Sequence, residues 1–289
     1  MKRRPRLITI LIILLFLIGL GVLLYPTASD LYYRWQAKQE IEAYNEAAGQ
    51  IAEASGEDYS EFWEAAEAYN QQLAQQGNAM LDVSEEEEAE VFNLLNPLGT
   101  GMMGSIEIPA IQVNIPIFQG TGEKALQSGA GFWLGTSLPT GGPSTHCVLT
   151  AHNGLVKAKM FTDLDKLQMG DQFTLHILDR DLTYQVDQIL VTEPEDTSAL
   201  QIVEGKDYVT LYTCTPYGIN THRLLVRGVR VEGDGSSNGT DWNSIILSGW
   251  LLGFILFLLL LLLAALFYWK RRKKAAGKEN PAGKEGQHG

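Results

Sequence analysis

The sequence of 289 residues predicts a mainly β domain, a barrel or a sandwich, preceded by helices and flanked by two membrane-spanning helices. Three observations support this prediction. Two long apolar runs carry no charge, residues 30–95 are rich in Ala, Glu and Gln, and the chain beyond residue 104 alternates apolar and polar residues in short segments. An apolar content of 45% excludes a disordered chain.

The two apolar runs are long enough to cross a membrane, for which a helix needs about 20 residues. Residues 7–24 contain only Thr9, Gly19 and Gly21 besides aliphatic and aromatic residues, and residues 245–269 end in Phe-Tyr-Trp. The first run exceeds the roughly 7–15 residues usual for the apolar core of a signal peptide and is followed by no clear Ala-x-Ala site, which favours an uncleaved anchor over a cleaved signal.

The charge distribution orients the two spans. The net charge is −12, but residues 1–25 have four basic residues and no acid, residues 270–289 have seven basic and two acidic residues, and the segment between them has a net charge of −21. The positive-inside rule therefore places both termini in the cytoplasm and the middle of the chain outside. The acidic balance also argues against a nucleic-acid binder, since phosphate contacts need clustered Lys and Arg.

Residues 30–54 and 58–76 are predicted helices with aromatic residues spaced to share one face, and breaks fall at Ser55-Gly56 and Gly77-Asn78. Ser84 followed by Glu87 is a capping box that opens a short helix through Leu95. Seven short strands then follow, which indicate the barrel or sandwich. They span residues 105–108, 113–118, 145–151, 172–178, 183–191, 208–213 and 222–231.

Two cysteines lie in the exported segment, Cys147 and Cys214, and a disulfide is the simplest interpretation of such a pair. Cys214, however, ends a strand before a Pro/Gly turn, a position where reactive groups are usually displayed. Thiol catalysis also needs a histidine and a donor for the oxyanion. His152 ends another strand 62 positions earlier, and Arg223 begins the last strand.

Strand periodicity separates the two cysteines. Cys147 and His152 are an odd number of residues apart, so in one regular strand they face opposite ways, and Cys147 is most simply a buried apolar residue. His222 likewise faces away from its neighbour Arg223. His146 and His176 are assigned structural roles. A metal site of His146, Cys147, His152 and Cys214 is disfavoured because no recognised ligand spacing is present.

The segment Thr-His-Cys-Val-Leu-Thr-Ala-His-Asn-Gly-Leu at residues 145–155 resembles the sortase His motif. Thr-Leu-Tyr-Thr-Cys at residues 210–214, followed by His-Arg-Leu-Leu-Val-Arg-Gly at residues 222–228, resembles the sortase Cys and Arg strands. The Thr-Cys-Thr-Pro-Tyr-Gly turn and the double anchor look like class C, the pilin-polymerising sortases. Ala151 departs from the glycine that is more frequent in the family.

This resemblance implies a closed eight-stranded barrel in a Gram-positive cell membrane and a transpeptidase that needs no cofactor, ATP or metal. Cys214 would attack the Thr–Gly bond of a Leu-Pro-x-Thr-Gly-like (LPxTG) signal, His152 would act as general acid and base, and Arg223 would stabilise the oxyanion. The backbone N–H of Thr215 is a second oxyanion donor candidate. The acceptor amine is a pilin lysine. The alternatives are a wall-anchoring sortase that uses a peptidoglycan-precursor amine, and a non-catalytic partner in pilus assembly.

The resemblance also implies a lid over the cysteine. The class C lid usually carries Asp-Pro-aromatic, whereas the corresponding region here offers Asp82 as the lid candidate, with neither proline nor aromatic residue beside it. The predicted organisation is a cytoplasmic N-terminus (1–6), a signal-anchor (7–25), a helical and lid region (26–100), a catalytic barrel (101–232), a linker (233–244), a second span (245–269) and a basic cytoplasmic tail (270–289).

Overall fold

The computed structural model describes residues 4–55, 59–76, 85–155, 157–231 and 258. Four helices and eight strands follow one another within this part of the chain. The helices are α1 (Arg4–Ser55), α2 (Ser60–Gln76), α3 (Glu85–Asn93) and α4 (Glu123–Ser128). The strands are β1 (Met102–Ile108), β2 (Val113–Gln119), β3 (Ala130–Phe132), β4 (Thr145–Thr150), β5 (Gln172–Ile177), β6 (Arg180–Thr192), β7 (Asp207–Thr215) and β8 (His222–Arg230).

Helix α1 combines two predicted segments, because the first apolar run and the following helix form one continuous helix that contains Pro26. Most of the described apolar side chains between Leu11 and Leu23, in its first half, are exposed. Within the described residues, this is the one helix long and apolar enough to cross a membrane. The second predicted span, residues 245–269, lies outside the described residues except for residue 258.

The second half of α1 packs on the barrel through Ala37, Ile41, Tyr44 and Ala48, which are spaced to share one helix face and are all buried. Polar contacts hold it at one end of the barrel: Ser29 donates to the carbonyl of Lys157 at 3.1 Å, and the Arg34 guanidinium donates to the carbonyl of Gln112 at 3.2 Å. This end also carries the C-terminal ends of β4 and β7, and is called the Cys214 end below.

The eight strands close into a barrel in the order β1-β2-β3-β4-β7-β8-β6-β5. The β2–β3 and β4–β7 pairs are parallel and the others are antiparallel. This confirms the predicted closed barrel, and all seven predicted strands are present. The prediction missed β3, whose three residues Ala-Gly-Phe are too few to show alternation, and the short helix α4 before it.

The barrel interior holds the main core, and strand parity decides which residues enter it. Val209 and Leu211 of β7 are fully buried in this core, while Tyr212 belongs to a second apolar cluster on the outer face with Val148, Leu225 and Leu200. Gly228 lies where β8 passes close to the core rings, since a Cβ there would approach Phe173 within 2.7 Å. The sheet between β4 and β6 therefore has apolar surface on both faces.

Candidate active site

Cys214 lies on the outer face of β7, next to the end of the strand. It shares strand parity with Tyr212, which lies on that face, and alternates with Thr213, which is 1% exposed. Cys214 itself is half-buried and free. The structure thus places the thiol at the rim of the barrel, as the position of Cys214 before the Pro/Gly turn indicated.

Arg223 lies directly across from Cys214, because the antiparallel register of β7 and β8 pairs these two residues. Its guanidinium donates to the carbonyls of Asn220 and His222, at 3.1 Å and 3.0 Å, and lies beside the phenol of Tyr212. Burial raises the pKa of Tyr212, and the positive charge of Arg223 opposes that increase. The guanidinium of the residue paired with Cys214 is therefore held by backbone carbonyls of its own turn.

His152 lies two residues beyond the end of β4 rather than within the strand, since β4 ends at Thr150. The parallel register pairs Thr150 with Tyr212, and its continuation by two residues brings His152 alongside Cys214. Two hydrogen bonds extend the pairing of β4 with β7 beyond Thr150, the last residue of β4. Ala151 N–H donates to the carbonyl of Tyr212 at 3.3 Å, and the Thr213 hydroxyl donates to the carbonyl of Ala151 at 2.7 Å.

The loop after His152 is bound to the loop after Cys214. The Asn153 amide nitrogen donates to the carbonyl of Cys214 at 2.7 Å, and the Gly154 N–H donates to the Thr162 hydroxyl at 3.0 Å. Gly154 has φ +82°, a conformation that strains other residues, and a Cβ there would lie 3.1 Å from the Tyr217 ring, so glycine is favoured at this position. The three candidate residues thus lie at the same end of three adjacent strands, β4, β7 and β8.

Cys147 is separated from this site. It points into the barrel core, is 2% exposed, and burial raises the pKa of its thiol well above the usual range. The structure therefore confirms the parity argument and contains no Cys147–Cys214 disulfide. A site of His146, Cys147, His152 and Cys214 does not form, because the His146 ring is bonded to Gln201 and Thr210 while Cys147 faces the interior.

The other two histidines of the described residues, His222 and His176, have partners of their own. His222 Nε2 lies 3.3 Å from Glu193 Oε1, and its register partner is Thr215 rather than Cys214, as strand parity predicted. His176 contacts Asp181 and Glu107. Thr215 is the last residue of β7. The lid candidate Asp82 lies outside the described residues.

A cavity of ≈ 690 Å³ opens between α1, α3, α4 and the far end of β2. It is lined by Tyr44, Phe92, Phe118 and Lys124 among others, and includes none of Cys214, His152 and Arg223. On the sheet face that carries Cys214, the rings of Trp133 and Tyr212 pack edge to face, with 5.0 Å between their centroids. Sequence reasoning missed Asn153 and Tyr212, although strand parity alone places Tyr212 on the face of Cys214.

Comparison with known proteins gives the same assignment. Residues 106–231 match the family described as Sortase domain. The crystal structure of sortase C1 from Streptococcus agalactiae has 45% identity and a TM-score of 0.64, with 68% of this chain and 100% of that chain covered. A sortase C from Streptococcus pneumoniae, whose structure is described as informative on catalysis and pilin substrate specificity, has 45% identity and a TM-score of 0.59 over 68% of this chain and 97% of that chain.

A Clostridium perfringens sortase C, solved with the C-terminal cell wall sorting motif, has 41% identity and a TM-score of 0.58 over 68% of this chain and 100% of that chain. These identities extend over nearly the whole length of the solved domains, so they show membership of the family and not only a shared barrel fold. The chain therefore belongs to the sortase family of cysteine transpeptidases, and its structural neighbours are class C sortases.

Proposed function

We propose that the chain is a membrane-anchored class C sortase that cleaves a Leu-Pro-x-Thr-Gly-like signal between Thr and Gly and joins the new carboxyl end to a pilin lysine. The observation that carries this proposal is the pairing of Cys214 with Arg223 across β7 and β8, with His152 at the end of adjacent β4. The neighbours support the substrate class, because one is described with pilin substrate specificity and another was solved with a sorting motif.

The first half of the reaction forms a thioester. The Cys214 thiolate attacks the Thr carbonyl carbon, and the resulting oxyanion is stabilised by Arg223, whose guanidinium stays charged and offers several donors. The backbone N–H of Thr215 is the second donor in this proposal. His152, as imidazolium, gives its proton to the departing glycine nitrogen while the C–N bond breaks. The acyl group is then held on Cys214 Sγ.

The second half reverses these roles. A lysine amine attacks the thioester carbon, neutral His152 accepts the proton that the amine loses, and the C–S bond breaks to release the Cys214 thiolate. One amide is exchanged for another, so the reaction needs no external energy source. The two roles fall on opposite sides of β7. Arg223 on β8 stabilises the carbonyl oxygen of the substrate, and His152 beyond β4 exchanges a proton with the substrate nitrogen.

Membrane anchoring is proposed from α1. Its apolar run at residues 7–24 falls within the range of lengths that membrane-spanning helices use, its described side chains from Leu11 to Leu23 are largely exposed, and the helix continues without a break into the half that packs on the barrel. Together with the basic residues at positions 2–6, this supports an anchor with a cytoplasmic N-terminus. The second span and the basic tail are proposed from the sequence, and so are the extracellular position of the barrel and the Gram-positive host.

The proposal is tested with the full-length chain in detergent, a protein that carries a Leu-Pro-x-Thr-Gly signal and a pilin lysine, and denaturing gels. We expect covalent ladders with the wild-type chain, a loss of about 10⁴-fold or more in rate with Cys214→Ala, and retention of most of the activity with Cys147→Ala. Equal loss with both variants would contradict the assignment of the nucleophile.

The same assay separates the second candidate, a wall-anchoring sortase. Single transfer to a peptidoglycan-precursor amine without ladders would favour that function. Failure of the wild-type chain to form a thioester at all would favour the third candidate, a non-catalytic partner in pilus assembly. The presence of Cys214, His152 and Arg223 at one rim is the observation that argues against it.

A further inference from the structure

Helix α1 is hydrogen-bonded to the stretch 157–161, which lies in the connection between β4 and β5. The Ser29 hydroxyl donates to the carbonyl of Lys157 at 3.1 Å, and the backbone N–H of Lys159 donates to Asp30 Oδ1 at 2.8 Å. Both contacts are made to backbone groups of the stretch. Helix α1 therefore fixes the main chain of this connection and not only its side chains.

The carboxylate of Asp30 is held from a second side. The Arg34 Nε donates to Asp30 Oδ2 at 2.8 Å, and the same guanidinium donates to the carbonyl of Gln112 at 3.2 Å. One oxygen of Asp30 therefore binds the cation on its own helix, while the other binds the N–H of Lys159. Hydrogen bonds to an ionised group are stronger than bonds between neutral groups, so this carboxylate is a firm attachment point for the connection.

The stretch 157–161 leads from Asp30 back to His152. The N–H of Phe161, two residues after the N–H that Asp30 binds, donates to the carbonyl of His152 at 3.1 Å. Met160, between these two bonds, is 1% exposed and has φ +44°, a conformation that residues with a side chain rarely adopt. Such a conformation persists only where the surrounding contacts impose it, and here a hydrogen bond lies on each side.

This series of contacts begins close to the apolar run of α1. Asp30 lies six residues beyond Leu24, the last residue of that run, which is about 9 Å along the axis of a continuous helix. The helix that anchors the chain in the proposed function is thus the same helix that supports the backbone of His152.

We propose that Asp30 is a positioning residue, which holds the backbone of His152 through the stretch 157–161 so that the imidazole reaches the substrate nitrogen. The inference rests on the proposed transpeptidase function and deepens it. Without the Asp30 carboxylate, the N–H of Lys159 loses its partner and the turn at Met160 is free to relax. The carbonyl of His152 then shifts, and proton transfer slows because a general acid has to lie within hydrogen-bond reach of the atom that it protonates.

The test compares an amide with an activated ester. A Leu-Pro-Glu-Thr-Gly peptide releases an amine that needs a proton from His152, whereas a Leu-Pro-Glu-Thr p-nitrophenyl ester releases a phenolate that leaves without one. Both are cleaved by the full-length chain in detergent, the rate with Cys214→Ala is subtracted, and kcat/KM reports the steps through acylation. We expect Asp30→Ala to lower kcat/KM about tenfold for the peptide and less than about twofold for the ester.

Asp30→Asn is the conservative variant. Its side-chain oxygen still accepts from the N–H of Lys159, so we expect it to retain most of the peptide cleavage. Glu42→Ala is the matched control, because it removes a carboxylate from the same helix whose partners, Lys38 and Gln39, belong to α1 itself. It should leave both substrates within about twofold of the wild-type rate.

Ser29→Ala is a milder second variant, which removes the neighbouring bond to the carbonyl of Lys157 and should lower peptide cleavage about threefold with little effect on the ester. An equal loss for peptide and ester in both Asp30→Ala and Ser29→Ala would show that α1 acts on the stability of the site as a whole and would overturn the inference. Unchanged peptide cleavage by Asp30→Ala would overturn it as well. Absence of peptide cleavage by the wild-type chain would overturn the proposed function, and the inference with it.

Discussion

The two cysteines differ in the surroundings of their thiols. Cys147 is enclosed by the barrel core, and burial raises the pKa of its thiol, so the thiolate that nucleophilic attack requires does not form there. Cys214 is half-buried on the outer face and pairs with a cation-bearing residue across the sheet. Its place on the inner face of the sheet thus makes Cys147 an inert apolar residue, whereas its place on the outer face makes Cys214 a candidate nucleophile.

His146 is a second residue whose chemistry is decided by burial. Its Nδ1 lies 2.8 Å from the carbonyl of Gln201 and its Nε2 lies 2.7 Å from the Thr210 hydroxyl. Since a carbonyl only accepts, Nδ1 carries the hydrogen and Nε2 accepts from Thr210. Burial lowers the pKa of His146 to about 4, the Gln201 carbonyl opposes this effect, and Arg227 adds to it. The ring therefore stays neutral in the folded protein.

This low pKa predicts a loss of stability in acid. The unfolded chain binds a proton at His146 near pH 6.5, while the folded chain binds it only near pH 4, so stability falls as the pH drops through that window, by roughly 3 kcal/mol in total. We expect His146→Gln to be less stable at pH 7 but to show a shallower decline from pH 6.5 to 4 in urea unfolding.

His176 provides the control for this experiment. Contact with Glu107 and Asp181 raises the pKa of His176, so its contribution to stability is full below pH 6.5 and is lost as the pH rises through the folded-state value. His176→Gln should therefore leave the acid-side decline in place and weaken the decline at higher pH. If wild type and His146→Gln had the same slope between pH 6.5 and 4, the assignment to His146 would be wrong.

At the scale of elements, α2 is attached to the end of the barrel opposite Cys214 by polar contacts as well as apolar ones. Trp63 Nε1 donates to Asp179 Oδ1 at 2.8 Å, and the Arg180 guanidinium lies 4.0 Å from the centre of the Trp63 ring. Asn70 donates to the carbonyl of Leu138 at 3.0 Å and accepts from the N–H of Leu138 at 2.7 Å. These bonds align α2 with the β3–β4 connection.

We expect Asn70→Ala to cost about 1–3 kcal/mol, because it leaves the buried N–H of Leu138 unpaired, while the carbonyl of Leu138 keeps the bond from the Thr140 N–H. Hydrogen exchange should rise in α2 before it rises in the barrel strands. Gln71→Ala is the matched control, since Gln71 is exposed on the same helix, and its effect should stay within about 0.5 kcal/mol. Equal effects of the two variants would contradict a docking role for Asn70.

At the scale of the whole molecule, negative charge is concentrated in the part of the sequence that precedes the barrel. Residues 30–90 carry 16 acidic residues and two basic ones, a net charge of −14. Such a field attracts cations over about one Debye length, which is about 10 Å at 0.1 M salt. A lysine-bearing acceptor is therefore attracted to the protein, whereas anionic wall polymers are repelled.

This charge predicts a dependence on ionic strength. We expect the rate of transfer to a lysine-rich acceptor to fall several-fold as salt rises from 0.05 to 0.5 M, since the Debye length then shortens to a few ångströms. Hydrolysis of the thioester by water, measured in the same samples without acceptor, should change little. A transfer rate that does not fall with added salt would count against a role for the acidic region in choosing the acceptor.

Much of this protein is predictable from the sequence because the relevant signals are local. Alternation within one strand separates Cys147 from His152 and His222 from Arg223, since successive side chains leave a strand on opposite faces. The apolar length of residues 7–24 and the order of the His, Cys and Arg motifs are equally local. All seven strands predicted from alternation are found in the structure, whereas alternation alone leaves a barrel or a sandwich open and the closed barrel is implied by the sortase resemblance.

Only the tertiary structure decided which strands are neighbours. The parallel pairing of β4 with β7 brings His152 to Cys214 across 62 positions of sequence, and the bond from Asn153 to the carbonyl of Cys214 depends on that pairing. The three-residue strand β3 exists because β2 and β4 flank it, not because its own residues favour a strand. Contacts between distant segments depend on the closure of the whole barrel, and no pattern within one segment records that closure.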